Sequence, residues 1–497
     1  MLKIFGGRPD HPLADPRELR RVLDALPPQE QKALEELAHW HESVAAAEGF
    51  KFEQRVQLLA ALDEAAQPRL RKLSREYLAA ARPSRFQETQ MWTRIHEYWK
   101  HAGHAYSVCL ENAPKASDRA LPVAVVRALR SLAQQIKWLH VRYGPMDPAS
   151  WAALGKAFAF AEARGLVDEK VVVNATTGQS TSPRQEFLAA MMFSASSPDS
   201  LLPLEVELAE RLIAEFAGGF TLAPQPGPEL PYWIDLGQPM GPQRAAKNPP
   251  KGGPGLRCLG PGSALAALAT LEKRIQAGRQ VPAELNLGGT YAPEAVLDVM
   301  QHLATYWSPD HPERRHPRHS VKSRMSISHG FDGVLEALGG GGSLDFDKRA
   351  TESWLVENVS AGGFGAIVPQ AKSDWLRVGA LLAMQPEGGQ NWIVGMVRRV
   401  NKLPSQEARV GIQTLSRAPV PTRFDMRGLG EQMAVLLPPL TPAPGDVSIA
   451  LRTGIFTPGV NLEAQFQGRH HVYMPQGVTE RGEDYDLVKY REMVREE

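Results

Sequence analysis

The chain has little cysteine. Cys109 and Cys258 are its two cysteines in 497 residues, far apart and without CxxC or Cys/His spacing. A disulfide framework and a zinc knuckle are therefore not expected, and both read as buried small hydrophobes. No run approaches the ~18 consecutive apolar residues of a membrane-spanning helix. The first residues, MLKIFGGRPDHPLADPRELRR, run quickly into charges and show no apolar core of signal-peptide length. The expected location is the cytoplasm. Charge of one sign is also missing: 56 Lys and Arg face 55 Asp and Glu, which rules out a globally basic nucleic-acid coat but not a local basic patch. With 43% hydrophobic and 22% charged residues the chain is neither disordered nor fibrous. Its length suggests about three domains, each able to bury a core without a metal or disulfide staple.

Helical periodicity fills the first 220 residues. Asp15-Pro16 supplies an N-cap and a first-turn proline, and Leu19, Val22, Leu23 and Leu26 recur behind it until Pro27-Pro28. Similar segments are expected at about 29–47, 52–65, 68–82, 84–113, 118–143, 148–164, 183–195 and 203–217. No fixed-period self-similarity points to a solenoid, so an irregular bundle or array is expected. Residues 221–309 read as a Pro/Gly-rich connection with a short strand at Tyr232 to Leu236 and two helices, 262–278 and 292–306. From about 310 to 420 the pattern turns to β. Short strands are expected at Trp354 to Val356, Phe364 to Val368, Leu376 to Met384, Trp392 to Val400 and Arg409 to Leu415. Their spacing suggests a small antiparallel barrel or sandwich. Residues 421–497 read as a β/α extension with strand-like pieces at 447–451, 461–466 and 470–474 and a charged helical end near 483–495.

Two clusters offer chemistry. The densest basic stretch, His311-Pro-Glu-Arg314-Arg315-His-Pro-Arg318, sits where the helical half hands over to the β half. An arginine fork suits bidentate phosphate contact, and its plane stacks on purines; alone, such a run reads as a solvated linker. The second cluster is Asn358-Val-Ser360-Ala-Gly-Gly363, at a turn between two strands. Its amide and hydroxyl offer donors and acceptors, and its glycines permit close ligand approach. Alone, it reads as a β-turn whose polar side chains bond their own backbone.

Together, Arg314-xxx-Arg318 and Asn358-x-Ser360-xx-Gly363 resemble the two-part signature of the PilZ domain, the bacterial receptor module for cyclic di-GMP. The gap of 40 residues from Arg318 to Asn358 is long, and the Gly339–Gly342 run reads as an extended loop within it. The resemblance covers about 310–420 and implies a fold and a function. The fold is a multidomain α + β chain, an N-terminal α-helical bundle or array followed by a C-terminal antiparallel PilZ-like β-barrel. The function is a cytoplasmic cyclic di-GMP effector of bacterial second-messenger signalling, in which binding at the barrel changes the placement of the helical region. Arg314 and Arg318 would grip phosphates and stack on or bond a guanine, and Arg315 would be an extra contact. Asn358 and Ser360 would bond a guanine edge, and Gly363 would allow the tight turn. The alternative is a PilZ-like protein–protein adaptor that does not bind the nucleotide. A downstream protein is expected to meet the helical region, whose family the sequence does not identify.

No other pattern competes. The run Gly339 to Ser343 lacks the GK[ST] of a phosphate loop. His39 and His41 fall on different helix faces, and His311, His316 and His319 have too little acidic company for a metal. No GxSxG, HExxH or kinase set appears, and no acidic pair reads as catalytic. No catalytic residue, metal, cofactor or nucleic-acid partner is expected, and the chain does not read as an enzyme.

Overall fold

The computed structural model describes residues 9–79, 84–116, 118–173, 178, 180–245, 252–310, 317–339, 351–370, 375–426, 428–441, 445–466 and 468–495. Two compact units are formed, Met1–Pro198 with Pro203–Pro312, and Asp199–Leu202 with Glu313–Glu497.

The first unit is built on α1 (Pro16–Asp24), α2 (Glu30–Ala46), α3 (Phe52–Leu78), α4 (Arg85–Glu111), α5 (Leu121–Val141), α6 (Pro148–Ala163), α7 (Pro183–Ala195) and α8 (Pro203–Glu215). A short two-stranded ribbon, β1 (Val171–Val172) with β2 (Ser180–Thr181), precedes α7. Local chemistry sets several starts in the same way. Asp15, Asp147 and Ser182 each accept a hydrogen bond from a first-turn backbone N–H, and each is followed by proline at the first helical position. Segments 52–65 and 68–82 are one helix rather than two. Pro68 lies exposed in the interior of α3, where Leu58, Leu59, Leu62, Ala66, Leu70 and Leu73 bury one continuous face. That packing outweighs the lost backbone bond.

A buried carboxylate ties four of these helices together. Asp63 of α3 accepts hydrogen bonds from Tyr98 OH (2.7 Å) and Tyr106 OH (2.6 Å) of α4 and from Arg127 Nη1 (3.0 Å) of α5. His41 Nε2 of α2 lies 3.3 Å from it. Burial alone would raise the Asp63 pKa, but the hydrogen bond and charge of His41, with Arg127 and Tyr106, outweigh burial and hold it at about 2.

The stretch 221–309 is not a connection. It folds into a four-stranded sheet ordered β3 (Thr221–Ala223), β6 (Leu256–Gly260), β4 (Tyr232–Asp235) and β5 (Gln243–Arg244), followed by α9 (Ala264–Gly278) and α10 (Pro293–Trp307). Tyr232, Ile234, Leu256, Cys258 and Leu259 are buried. The Arg244 guanidinium lies over the Tyr232 ring and donates to the carbonyls of Tyr306, Ser308 and Pro309. The prolines and glycines mark close turns between strands of two to five residues, which is why the sequence reads as linker.

The second unit holds two closed six-stranded antiparallel barrels. The first is ordered β10 (Leu381–Pro386), β11 (Ile393–Lys402), β12 (Ala408–Ser416), β9 (Gly363–Val368), β8 (Glu352–Ser360) and β7 (His319–His329). A helix, α11 (Gly330–Ala337), follows β7. The second barrel is ordered β13 (Val420–Met426), β14 (Gly430–Leu437), β15 (Asp446–Arg452), β18 (Tyr485–Arg495), β17 (Arg469–Arg481) and β16 (Leu462–Phe466). This corrects the β/α extension: the charged end expected as a helix is strand β18. Its Tyr485, Leu487, Val488 and Tyr490 are buried while Lys489 and Arg491 are exposed, and pairing with both β15 and β17 overrides the helical preference of its charged residues. The barrels share one core. Phe331, Val334 and Leu335 of α11, Leu381, Ala383, Val394 and Met396 of the first barrel, and Val435, Leu437, Ala450, Tyr485 and Leu487 of the second form a single buried cluster.

Candidate ligand-binding site

Antiparallel pairing of β7 with β8 sets the residues that follow Arg318 against the Asn358 segment. His319 pairs with Val359 and Ser320 with Asn358. Continued by one residue, that register sets Arg318 opposite Ser360. Arg318 is exposed. Arg314 and Arg315 lie outside the described residues.

The orientation of Asn358 depends on a β-bulge. Trp354 and Val356 of β8 point into the barrel and are buried. Alternation alone would turn Asn358 inward as well. Instead the register shifts between Val356, paired with Ala366, and Asn358, paired with Gly365. One extra residue on β8 flips the strand, so Asn358 lies on the outer face over Gly365. A Cβ added at Gly365 would sit 2.6 Å from Asn358 Nδ2 and 2.7 Å from Oδ1. Only glycine leaves that space open. The Asn358 Oδ1 is buried and accepts no hydrogen bond from the described residues.

Ser360 and Gly363 close the next pair of the same hairpin. The Ser360 hydroxyl donates to the Gly363 carbonyl at 3.3 Å, so it makes the local turn bond and keeps its own lone pairs for acceptance. Asn358 and Ser360 both stand within β8; the turn itself is Ala361-Gly362. Gly363 is required for close approach, not for an unusual backbone angle. A Cβ there would lie 2.0 Å from the Ile412 carbonyl oxygen of β12.

Across β9 the outer face stays low. Gly363 pairs with Gln413 and Gly365 with Gly411 of β12, so glycines line a shallow floor beside Asn358 and Ser360. Gly411 pairs in turn with Arg399 of β11. At the turn, Arg417 Nη2 donates to the Ala361 carbonyl at 3.1 Å. Gly365, Gly411, Gln413 and Arg417 were not singled out from the sequence. A glycine inside a β-run, as in Val410-Gly411-Ile412, marks close backbone approach and is the signal that points to this floor.

A separate cleft of about 400 Å³, lined by Tyr232, Trp233, Arg244, Cys258 and Pro309, lies in the first unit and contains none of these residues. Among the described residues no cluster of His, Cys, Asp or Glu is arranged to hold a metal. No described helix is long and apolar enough to cross a membrane.

Two family models match the chain. The N-terminal domain of the cyclic-di-GMP receptor FimW matches residues 17–226, and the middle PilZ domain of the same receptor matches residues 345–421. Together they take in more than half of the sequence and cover helices whose family the sequence alone left unassigned. Comparison with curated proteins gives no match.

Proposed function

The chain belongs to the family of the cyclic-di-GMP receptor FimW and is a cyclic di-GMP effector with a PilZ domain, and we propose that the nucleotide binds on the outer face of the first barrel, where β7 and β8 bring Arg318 beside Asn358 and Ser360. The observation that carries this reading is the unpartnered Asn358 Oδ1 above the glycine floor. A buried acceptor without a donor costs about 1–3 kcal/mol, and a guanine edge presents N–H groups that would satisfy it. Ser360 accepts or donates at the same edge. Gly365 leaves room for the Asn358 amide itself, and Gly363 lets β12 close up against the hairpin that holds Ser360. Arg318, with Arg314 and Arg315 as further candidates, supplies charge-assisted contact to the phosphates. The role is binding and not catalysis, and the place of action is the cytoplasm. The segment carrying the arginines joins the two units along the chain, so ligand held there changes the placement of the helical region, where a downstream protein reads the state.

Titration calorimetry of the full chain with cyclic di-GMP tests the site. Arg318→Ala and Asn358→Ala should each weaken binding by about tenfold or more, the cost of one contact worth about 1.5 kcal/mol. Wild-type affinity in a folded Asn358→Ala protein refutes the placement, and wild-type affinity in Arg318→Ala removes that arginine from the site.

A further inference from the structure

The far side of the glycine floor carries a cation that the second barrel holds. In β11 the register shifts between Val397, paired with Ile412, and Arg399, paired with Gly411. Arg398 is the extra residue of this bulge, and it turns outward next to Arg399 instead of alternating with it. Its side chain reaches toward the site. Arg398 Nε donates to Gln413 Oε1 at 2.7 Å, and Gln413 is the cross-strand neighbour of Gly363. Because Gly363 has no side chain, the Gln413 amide is the next group across the floor from Ser360, about two strand spacings or ~10 Å away, and the Arg398 guanidinium bonded to it comes from the strand beyond. The same guanidinium donates through Nη1 to Glu480 Oε2 of β17 at 2.8 Å.

We propose that Arg398 is a further ligand contact, forming with Gln413 the wall of the site opposite Asn358 and Ser360, and that Glu480 of the second barrel competes with the ligand phosphate for it. This rests on the placement of cyclic di-GMP on the glycine floor. The Arg398 side chain is 43% exposed and that of Glu480 21%. A half-exposed ion pair of this kind is weak and exchangeable, whereas a phosphate takes the guanidinium fork through two parallel bonds. The exchange releases Glu480 from its partner. Ligand occupancy of the first barrel is thereby reported to the second, which lies beyond the residues matched by either family model.

The test is calorimetric titration of cyclic di-GMP into the full chain and four variants, with thermal melts to verify folding. Arg398→Ala should weaken binding roughly tenfold. Glu480→Gln, which keeps the shape and removes the charge, should tighten binding roughly threefold or more. The double variant should match Arg398→Ala alone, because the competitor acts only through its partner. A purely architectural ion pair predicts the opposite sign for Glu480→Gln, unchanged or weaker binding, and that result overturns the proposal even if Arg398→Ala fails to fold. Asn358→Ala separates the two readings. If it leaves affinity unchanged, the placement on the floor is wrong and this proposal falls with it. If it weakens binding while Glu480→Gln does not tighten it, the placement stands and the competition is refuted.

Discussion

Replacing Gly365 by alanine puts a methyl carbon 2.6 Å from Asn358 Nδ2, 2.7 Å from Oδ1 and 2.9 Å from Cγ. The group in the way is the end of a side chain, so the amide must swing aside while the strands stay paired. Moving it off its rotamer costs of order 0.5–1.5 kcal/mol, and alanine in a strand recovers about 0.5–1 kcal/mol relative to glycine. The two nearly cancel in the fold. Binding does not escape so easily. A displaced amide forfeits one or two hydrogen bonds worth about 0.5–1.5 kcal/mol each, which weakens affinity roughly twofold to 150-fold. Two neighbouring glycines give the comparison. A Cβ at Gly363 meets the Ile412 backbone oxygen at 2.0 Å, an atom that cannot rotate away, so Gly363→Ala should cost about 1–3 kcal/mol or more of stability. A Cβ at Gly411 has only Arg399 Cβ at 3.4 Å, so Gly411→Ala should keep or gain up to about 1 kcal/mol of stability and serve as the folded control. Calorimetric titration with cyclic di-GMP and thermal melts of the three variants read out both quantities. Wild-type affinity in a folded Gly365→Ala protein refutes the role of the Asn358 amide.

Two further outcomes concern the helical unit. Asp63→Asn should lower its stability by about 3 kcal/mol in urea unfolding, because buried Arg127 is left with only the exposed Glu64, 3.5 Å away, as counter-charge; a loss below 1 kcal/mol would show that the network is dispensable. Burial, with the charge of Lys100 adding to it, lowers His96 from 6.5 to about 4. Its pKa is therefore below the unfolded value, the unfolded chain binds the proton first, and stability should fall as pH drops from about 6.5 toward 4. His96→Phe should flatten the unfolding free energy over that window, and an unchanged pH dependence would assign the slope to other groups.

The helices were legible because their signals are local. Ser182-Pro183 and Asp147-Pro148 announce their starts without reference to the rest of the chain. Pro68 misleads for the opposite reason, since the packing that carries α3 through it comes from other helices. The 221–260 sheet is hidden by strands too short for alternation to show, and β18 by charges that a two-sided pairing tolerates. At the site, Asn358, Ser360 and Arg318 are visible as residue types at a spacing. The bulges that aim Asn358 and Arg398 are not, because a register shift is a relation between two strands and leaves no mark on either alone. Arg398, Gln413 and the floor glycines belong to that second kind.

The core shared by the two barrels has a consequence for how the second unit unfolds. Leu381, Ala383, Val394 and Met396 form one buried cluster with Val435, Leu437, Ala450 and Leu487, and the Tyr485 hydroxyl donates to the Gly379 carbonyl across the join at 2.8 Å. Neither barrel can lose its strands without uncovering the apolar face of the other. The pair therefore melts in one cooperative transition, and a chain cut between Ser416 and Val420 would yield two fragments, each with an exposed hydrophobic side and a tendency to aggregate. The smallest piece of the second unit expected to fold and be purified on its own is the double barrel.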